Sequence, residues 1–137
     1  MIVHSKRLTH HSRHETVWHQ HDTGQLFCVR LSMMIFRTEQ AQWALTPATV
    51  GWFPPHLRHC AWTVGDVDGY SLQLRDPEVV PHASVWPADP FLMLLLERIT
   101  QREPARQLPL LTVLIDEIRH TPAAQLQLTL PEDRRAK

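Results

Sequence analysis

The sequence predicts an all-β domain with a helical appendage. Three observations lead there. Short apolar runs recur about every ten residues between positions 25 and 75, the spacing of a sandwich or small barrel. Proline, glycine and aspartate punctuate those runs. After Asp89 the apolar period changes from strand to helix.

The first 17 residues are polar without a clean period and read as an extended or loosely ordered arm. Strand-length runs follow at Gln25–Leu31, Met33–Thr38, Gln42–Thr46, Thr49–Phe53, His59–Val64 and Gly69–Arg75. Pro47, the Pro54-Pro55 pair, Gly65-Asp66 and Asp76-Pro77 close four of them. Asp89-Pro90 is then an N-cap with proline in the first helical turn. Phe91 to Ile99 continues as a nearly all-round apolar helix, which needs a sheet or a second subunit to cover it. A second helix runs from about Pro109 to His120, with Leu110, Leu111, Leu114, Ile115 and Ile118 on one face. Leu128 to Lys137 reads as the opening of a further helix. Strands first and helices afterwards exclude an alternating α/β sheet.

A chain of 137 residues is one domain by length and buries a core without disulfide staples. Its formal net charge is zero, and a domain that grips nucleic acid normally carries a basic excess, so this chain should not bind DNA by itself. Cys28 and Cys60 lack metal-ribbon or disulfide-scaffold spacing and read as reduced thiols of a cytoplasmic protein. The longest apolar stretch, Pro90 to Leu96, is too short to span a membrane.

Histidine is the unusual residue, with ten in the chain. His10, His11 and His14 fall in the polar arm and His56 in a turn, where solvation accounts for them. His19 and His21 are different. On a strand, residues two apart face the same side, so both imidazoles enter one cavity. Gln25 lies just past Gly24, and His59 lies on a later strand. Three imidazoles and an amide oxygen are a first shell for a divalent transition metal, zinc or nickel. The same residues also suit a polar cavity wall without an ion. Glu39 belongs to a turn, Arg30 and Arg37 to exposed strand faces, and Trp43, Trp52 and Trp62 to the packing. No serine, cysteine or phosphate-loop catalytic pattern is present.

His19-x-His21 with Gln25, followed by Pro54-Pro55-His56-Leu57-Arg58-His59, resembles the two motifs of the cupin barrel, a double-stranded β-helix. Gln25 stands in place of the motif glutamate, Ser32 in place of the first motif's glycine, and Ala48 and His56 at the glycine positions of the second. A wider set is similar to the N-terminal regulatory domain of AraC-type transcription regulators. It comprises His19-x-His21-Asp22-x-Gly24-Gln25-Leu26, Arg37-Thr38-Glu39-Gln40, Trp43, Trp52-Phe53-Pro54-Pro55 and His59. The resemblance covers residues from about 18 to the end and, after the arm over residues 1–17, implies a cupin-like barrel over 18–88, a helical dimerisation segment over 89–122, and a linker over 123–137 towards an absent helix-turn-helix domain. It implies an effector-sensing homodimer that meets DNA only through that missing domain. A small molecule or metal would bind at His19, His21, Gln25 and His59. The alternative is a free-standing metal-dependent cupin enzyme, a dioxygenase or isomerase. Gln25 weighs against it, since an amide cannot serve as a general base.

Overall fold

The computed structural model describes residues 2–10, 15–75, 79–122 and 127–128. Its strands are β1 (Ile2–His10), β2 (Gly24–Arg37), β3 (Gln42–Leu45), β4 (Thr49–Phe53), β5 (Cys60–Leu74), β6 (Ser84–Pro87) and β7 (Gln127–Leu128). Two helices, α1 (Pro90–Gln101) and α2 (Leu108–Arg119), follow β6, with a single 3-10 turn at Pro104–Arg106 between them. Every pairing between these strands is antiparallel, beside one isolated parallel bridge from Val29 to Pro47. The all-β body with two following helices is the expected class.

Two long strands organise the sheet. β2 pairs with β5 from Gly24 opposite Leu74 to Arg37 opposite Cys60. On the outer edge of β5, β1 covers residues 67–74, and the segment 15–19 continues the same antiparallel track through bridges Glu15–Trp62 and His19–His59. On the outer edge of β2, β4 covers Gln25–Cys28 and β3 covers Met34–Arg37. The path β1-β5-β2-β3-β7 is open at both ends among the described residues, so the curled sheet is not a closed barrel.

The curl follows from chain length. His19 sits opposite His59 and Gly24 opposite Leu74. The link from His19 to Gly24 reaches at most about 18 Å. A straight strand from Cys60 to Leu74 would measure about 46 Å. The two ends of β5 therefore meet only because the strand doubles over. The bend is visible in both long strands and in the link beside them. Ser32 (φ 64°) lies at the register shift in β2, Gly65 (φ 76°) faces it in β5, and Ala48 (φ 68°) joins β3 to β4. A left-handed residue inserted in a ladder is a bulge that turns the strand and raises its twist. The Ser32 hydroxyl lies 3.2 Å from where a Gly65 side chain would begin.

These bends explain the differences from the strand assignments above. Gln25–Leu31 and Met33–Thr38 are one strand, as are His59–Val64 and Gly69–Arg75, because the apparent breaks are bulges. The polar arm is extended and bonded into the sheet over Ile2–His10, with Leu8 pointing into the core. β6 completes the edge beside β4. Of the helix expected over Leu128–Lys137, Leu128 instead pairs with β3 beside Gln127, and 129–137 lie outside the described residues. His11 and His14 also lie outside them, as does the side chain of His10.

The helices cover one face of the sheet. Asp89 caps α1 by accepting from the Leu92 N–H at 3.0 Å. Leu92, Leu95, Leu96 and Ile99 of α1, with Leu111, Leu114, Ile115 and Ile118 of α2, pack against Leu26, Trp52, Leu72 and Leu74. The α1 surface is one-sided rather than buried all round: Leu94 remains 62% exposed and Phe91 50%. Buried Gln107 closes the corner between the helices. Its amide donates to the carbonyls of Ile99 (2.9 Å) and Arg102 (3.2 Å) and to the Ser5 hydroxyl of β1 (3.2 Å).

Candidate ligand and metal site

Side chains alternate across β2. Leu26 and Cys28 face the helices, whereas Gln25 and Phe27 face the inside of the curl. β5 alternates in the same way, with Tyr70, Leu72 and Leu74 towards the helices and Ser71 and Gln73 inward. The curl encloses a cavity of about 220 Å3. Its polar wall carries His19, His21, Gln25, His59, Ser71 and Gln73, with Thr16, Thr63 and Lys6 beside them. Its apolar wall is built chiefly from Leu8, Phe27, Met34 and Phe36.

Three imidazoles meet at one end. His19 and His59 form a reciprocal backbone pair, each N–H donating to the other's carbonyl at 2.9 Å, which puts both side chains on the same face. His21 follows two residues on, and its carbonyl accepts from the His56 N–H at 2.7 Å, fixing the turn against the strand. Ring centroids are 4.4 Å apart for His19 and His59, 4.8 Å for His19 and His21, and 5.8 Å for His21 and His59. One ligand nitrogen from each lies within 4.8 Å of the other two.

The hydrogen bonds fix the tautomers. The Nδ1–H of His19 donates to the Val17 carbonyl at 2.7 Å, and that of His59 to the Leu57 carbonyl at 2.9 Å. A carbonyl only accepts, so in the neutral rings Nδ1 holds the proton and Nε2 presents a lone pair. This backbone support is the one that metal-binding histidines usually have. Burial pushes the pKa of His21 below the ordinary value, helped by His19. Burial also lowers that of His59, with His19 and His21 adding to the effect against the Leu57 hydrogen bond. Neutral imidazole is the ligating form. Zinc–nitrogen bonds of about 2.1 Å place tetrahedral donors about 3.4 Å apart, so side-chain movements of order 1 Å would close the set around an ion. The donor set fits a borderline metal such as zinc or nickel.

All four residues singled out from the sequence thus line one cavity. Gln25 is buried there beside the histidines. His56 is exposed in its turn at φ 68°, and Glu39 is exposed as expected. Arg30 is exposed but engaged, donating to the Tyr70 hydroxyl at 3.2 Å. Trp43 and Trp52 are core residues, whereas Trp62 joins the cavity rim. Cys28 is a buried free thiol whose pKa burial raises to about 12. Sequence reasoning missed Lys6, Thr16, Thr63, Ser71 and Gln73. The alternation of Ser71 and Gln73 with apolar neighbours was the available signal, whereas Lys6 in a polar run offered none.

Among the described residues lining the cavity none is a carboxylate, and Lys6 is the only permanently charged side chain. The described residues contain no helix long and apolar enough to cross a membrane.

No protein-family model matches the chain, and no curated protein does either. Solved structures do. A structure of ToxT from Vibrio cholerae superposes with a TM-score of 0.63 at 7% identity, over 84% of this chain and 54% of that one. An apo form of a single-substitution ToxT variant from the same organism gives 0.60 at 6% identity, over 83% and 53%. Wild-type Vibrio cholerae ToxT with an unsaturated fatty acid bound gives 0.53 at 8% identity, over 84% and 49%. The chain spans about half the length of these ToxT chains. At such identities the likeness establishes the fold: this chain has the β-rich, helix-appended architecture found in ToxT.

Proposed function

We propose that this chain is the effector-sensing domain of an AraC-type transcription regulator. The observation that carries the reading is the cavity itself: a polar, histidine-lined end and an apolar wall inside a sheet of the ToxT fold. ToxT is an AraC-family regulator, and one of its structures holds an unsaturated fatty acid. The cupin-like part of the resemblance has its own support. Ser32, Ala48 and His56, which stand where the cupin motifs have glycine, all take the left-handed backbone conformation that favours glycine.

On this reading a small molecule or a divalent metal binds at His19, His21, Gln25 and His59. The wall formed by β1 moves with it. Lys6 and Leu8 touch the cavity, and the neighbouring Ser5 is bonded to Gln107 at the junction of the helices. Ligand contact with β1 thereby biases the arrangement of α1 and α2. The exposed Phe91 and Leu94 of α1 form the surface of a cytoplasmic homodimer, and DNA is met by a helix-turn-helix domain beyond this chain.

Thermal-shift screening against short carboxylates, fatty acids and divalent cations tests the sensing site. At least one ligand should raise Tm in the wild type and in Leu94→Ser but not in Ser71→Phe, which fills the cavity. An equal response in Ser71→Phe would contradict the site. The regulator reading is tested by the coding sequence after Lys137, which should run in frame into a helix-turn-helix. Sedimentation should find a dimer that Leu94→Ser weakens; a strict monomer in the wild type would remove the dimer surface.

A further inference from the structure

The charge of the cavity wall points to the class of effector. Three neutral imidazoles and the Gln25 amide leave the double charge of a bound divalent ion uncompensated, no lining residue is a carboxylate, and Lys6 adds a further positive charge. An uncompensated charge in a partly apolar enclosure is costly until an anion neutralises it. Three nitrogen donors leave a tetrahedral ion one position, and an anionic oxygen is a stronger donor there than the neutral amide of Gln25. The same cavity presents Phe27, Met34 and Phe36, an apolar surface whose one heteroatom is the weakly accepting thioether of Met34.

We propose that the metal held by His19, His21 and His59 is the receptor for an amphipathic carboxylate. One carboxylate oxygen completes the coordination sphere, Lys6 faces the remaining charge, and the apolar body lies against Phe27, Met34 and Phe36. Metal and carboxylate then bind with positive coupling, and thermodynamic linkage requires each to strengthen the other by the same factor. The proposal rests on the metal-binding part of the reading above.

The test is calorimetry on the purified chain with zinc chloride, hexanoate, acetate and 1-hexanol, corrected for zinc–hexanoate pairing in buffer. Zinc alone should bind one to one in the wild type and not in His21→Ala or His21→Gln, with folding checked by circular dichroism. Saturating zinc should tighten hexanoate about tenfold, and saturating hexanoate should tighten zinc by the same factor. Acetate should share the coupling but bind weakly for lack of an apolar body, and 1-hexanol should show no coupling. Lys6→Met should keep its zinc affinity and lose several-fold in hexanoate affinity. If hexanoate binds equally with and without zinc, the receptor proposal falls while the cavity reading stands. If zinc binds and 1-hexanol gains as much as hexanoate, the proposal also falls and the metal site stands. If the wild type takes up no zinc, both the metal reading and the proposal are overturned.

Discussion

The two faces of the curled sheet are made by the same strands and have opposite characters. The face under the helices is aliphatic and closed. Leu72, Leu96, Ile99, Leu114 and Ile118 are all fully buried there. Its polar groups are bonded, as with the Trp52 Nε1–H on the Val80 carbonyl at 2.7 Å and the Gln107 amide on two carbonyls. The face inside the curl is lined by rings and polar side chains and keeps a cavity. A residue's parity decides which face it serves on either side of the bulge in β2, and the register shifts around Leu31 reverse that parity, so Phe27 and Phe36 both point inward. Both faces bury an apolar cluster, but only the one inside the curl leaves space beside it, where polar side chains can serve a ligand.

Substitutions at neighbouring positions of opposite parity should break this symmetry most visibly. Leu72→Ala on the helix face deletes a fully buried side chain and should cost about 3 kcal/mol of unfolding free energy. Ser71→Ala, one residue away and facing the cavity, should change stability by less than about 1 kcal/mol. Denaturant midpoints of the two variants measure the contrast. Similar losses would mean that the two faces share the load.

The next largest effect concerns the link between the faces. Gln107→Leu removes the amide donor from the Ile99 and Arg102 carbonyls, the first of which keeps the Arg102 N–H, and should cost about 1–2 kcal/mol. Hydrogen exchange should then quicken in β1, where the Ser5 contact is lost, while β2 and β4 stay protected. Unchanged exchange in β1 would remove Gln107 as the tie between cavity wall and helices.

Smaller again are the bends that make the cavity. Gly65→Ala places a side chain at φ 76° next to Ser32 and should destabilise by about 1 kcal/mol. Ala48→Gly relieves a left-handed alanine and should stabilise by up to about 1 kcal/mol, less the extra entropy of the unfolded chain. Chemical denaturation reads both signs. Matching losses in both variants would show that φ is not what these positions select.

The faces should also differ in their response to pH. In the metal-free protein the folded state depresses the pKa of His21 and His59, so the unfolded chain binds more protons near and below its own histidine pKa of about 6.5. Stability is therefore fully present above about pH 6.5 and declines as the pH falls from there towards the folded-state values. His59→Gln should flatten this part of the Tm profile, whereas Leu94→Ser on the exposed side of α1 should not. A profile unaffected by His59→Gln would place the titration elsewhere.

The sequence made parts of this contrast legible and hid others, for physical reasons. Capping at Asp89 and the apolar spacing of Leu111, Leu114, Ile115 and Ile118 located both helices to within two residues, since local signals set helix ends. His19, His21, Gln25 and His59 were readable as one group because strand parity puts His19 and His21 on one side. The continuity of β2 and β5 was not readable. A left-handed bulge at Ser32 or Gly65 uses the same residue types as a turn that ends a strand. β1 was hidden because an edge strand needs few apolar residues, and among its described side chains Leu8 alone is an apolar residue facing inward. Lys6 became visible only when the curl brought β1 against the cavity.

The account turns on whether the three imidazoles act together, His19 and His59 through their Nε2 atoms. Long-range 1H–15N correlation of the imidazoles, recorded before and after one equivalent of zinc, tests this directly. The Nε2 resonances of His19 and His59 and one ring nitrogen of His21 should shift together, with His19 and His59 keeping their Nδ1 protons on the Val17 and Leu57 carbonyls. Shifts confined to other histidines, or no shift at these three, would contradict the metal site and leave the rings as the polar wall of the cavity.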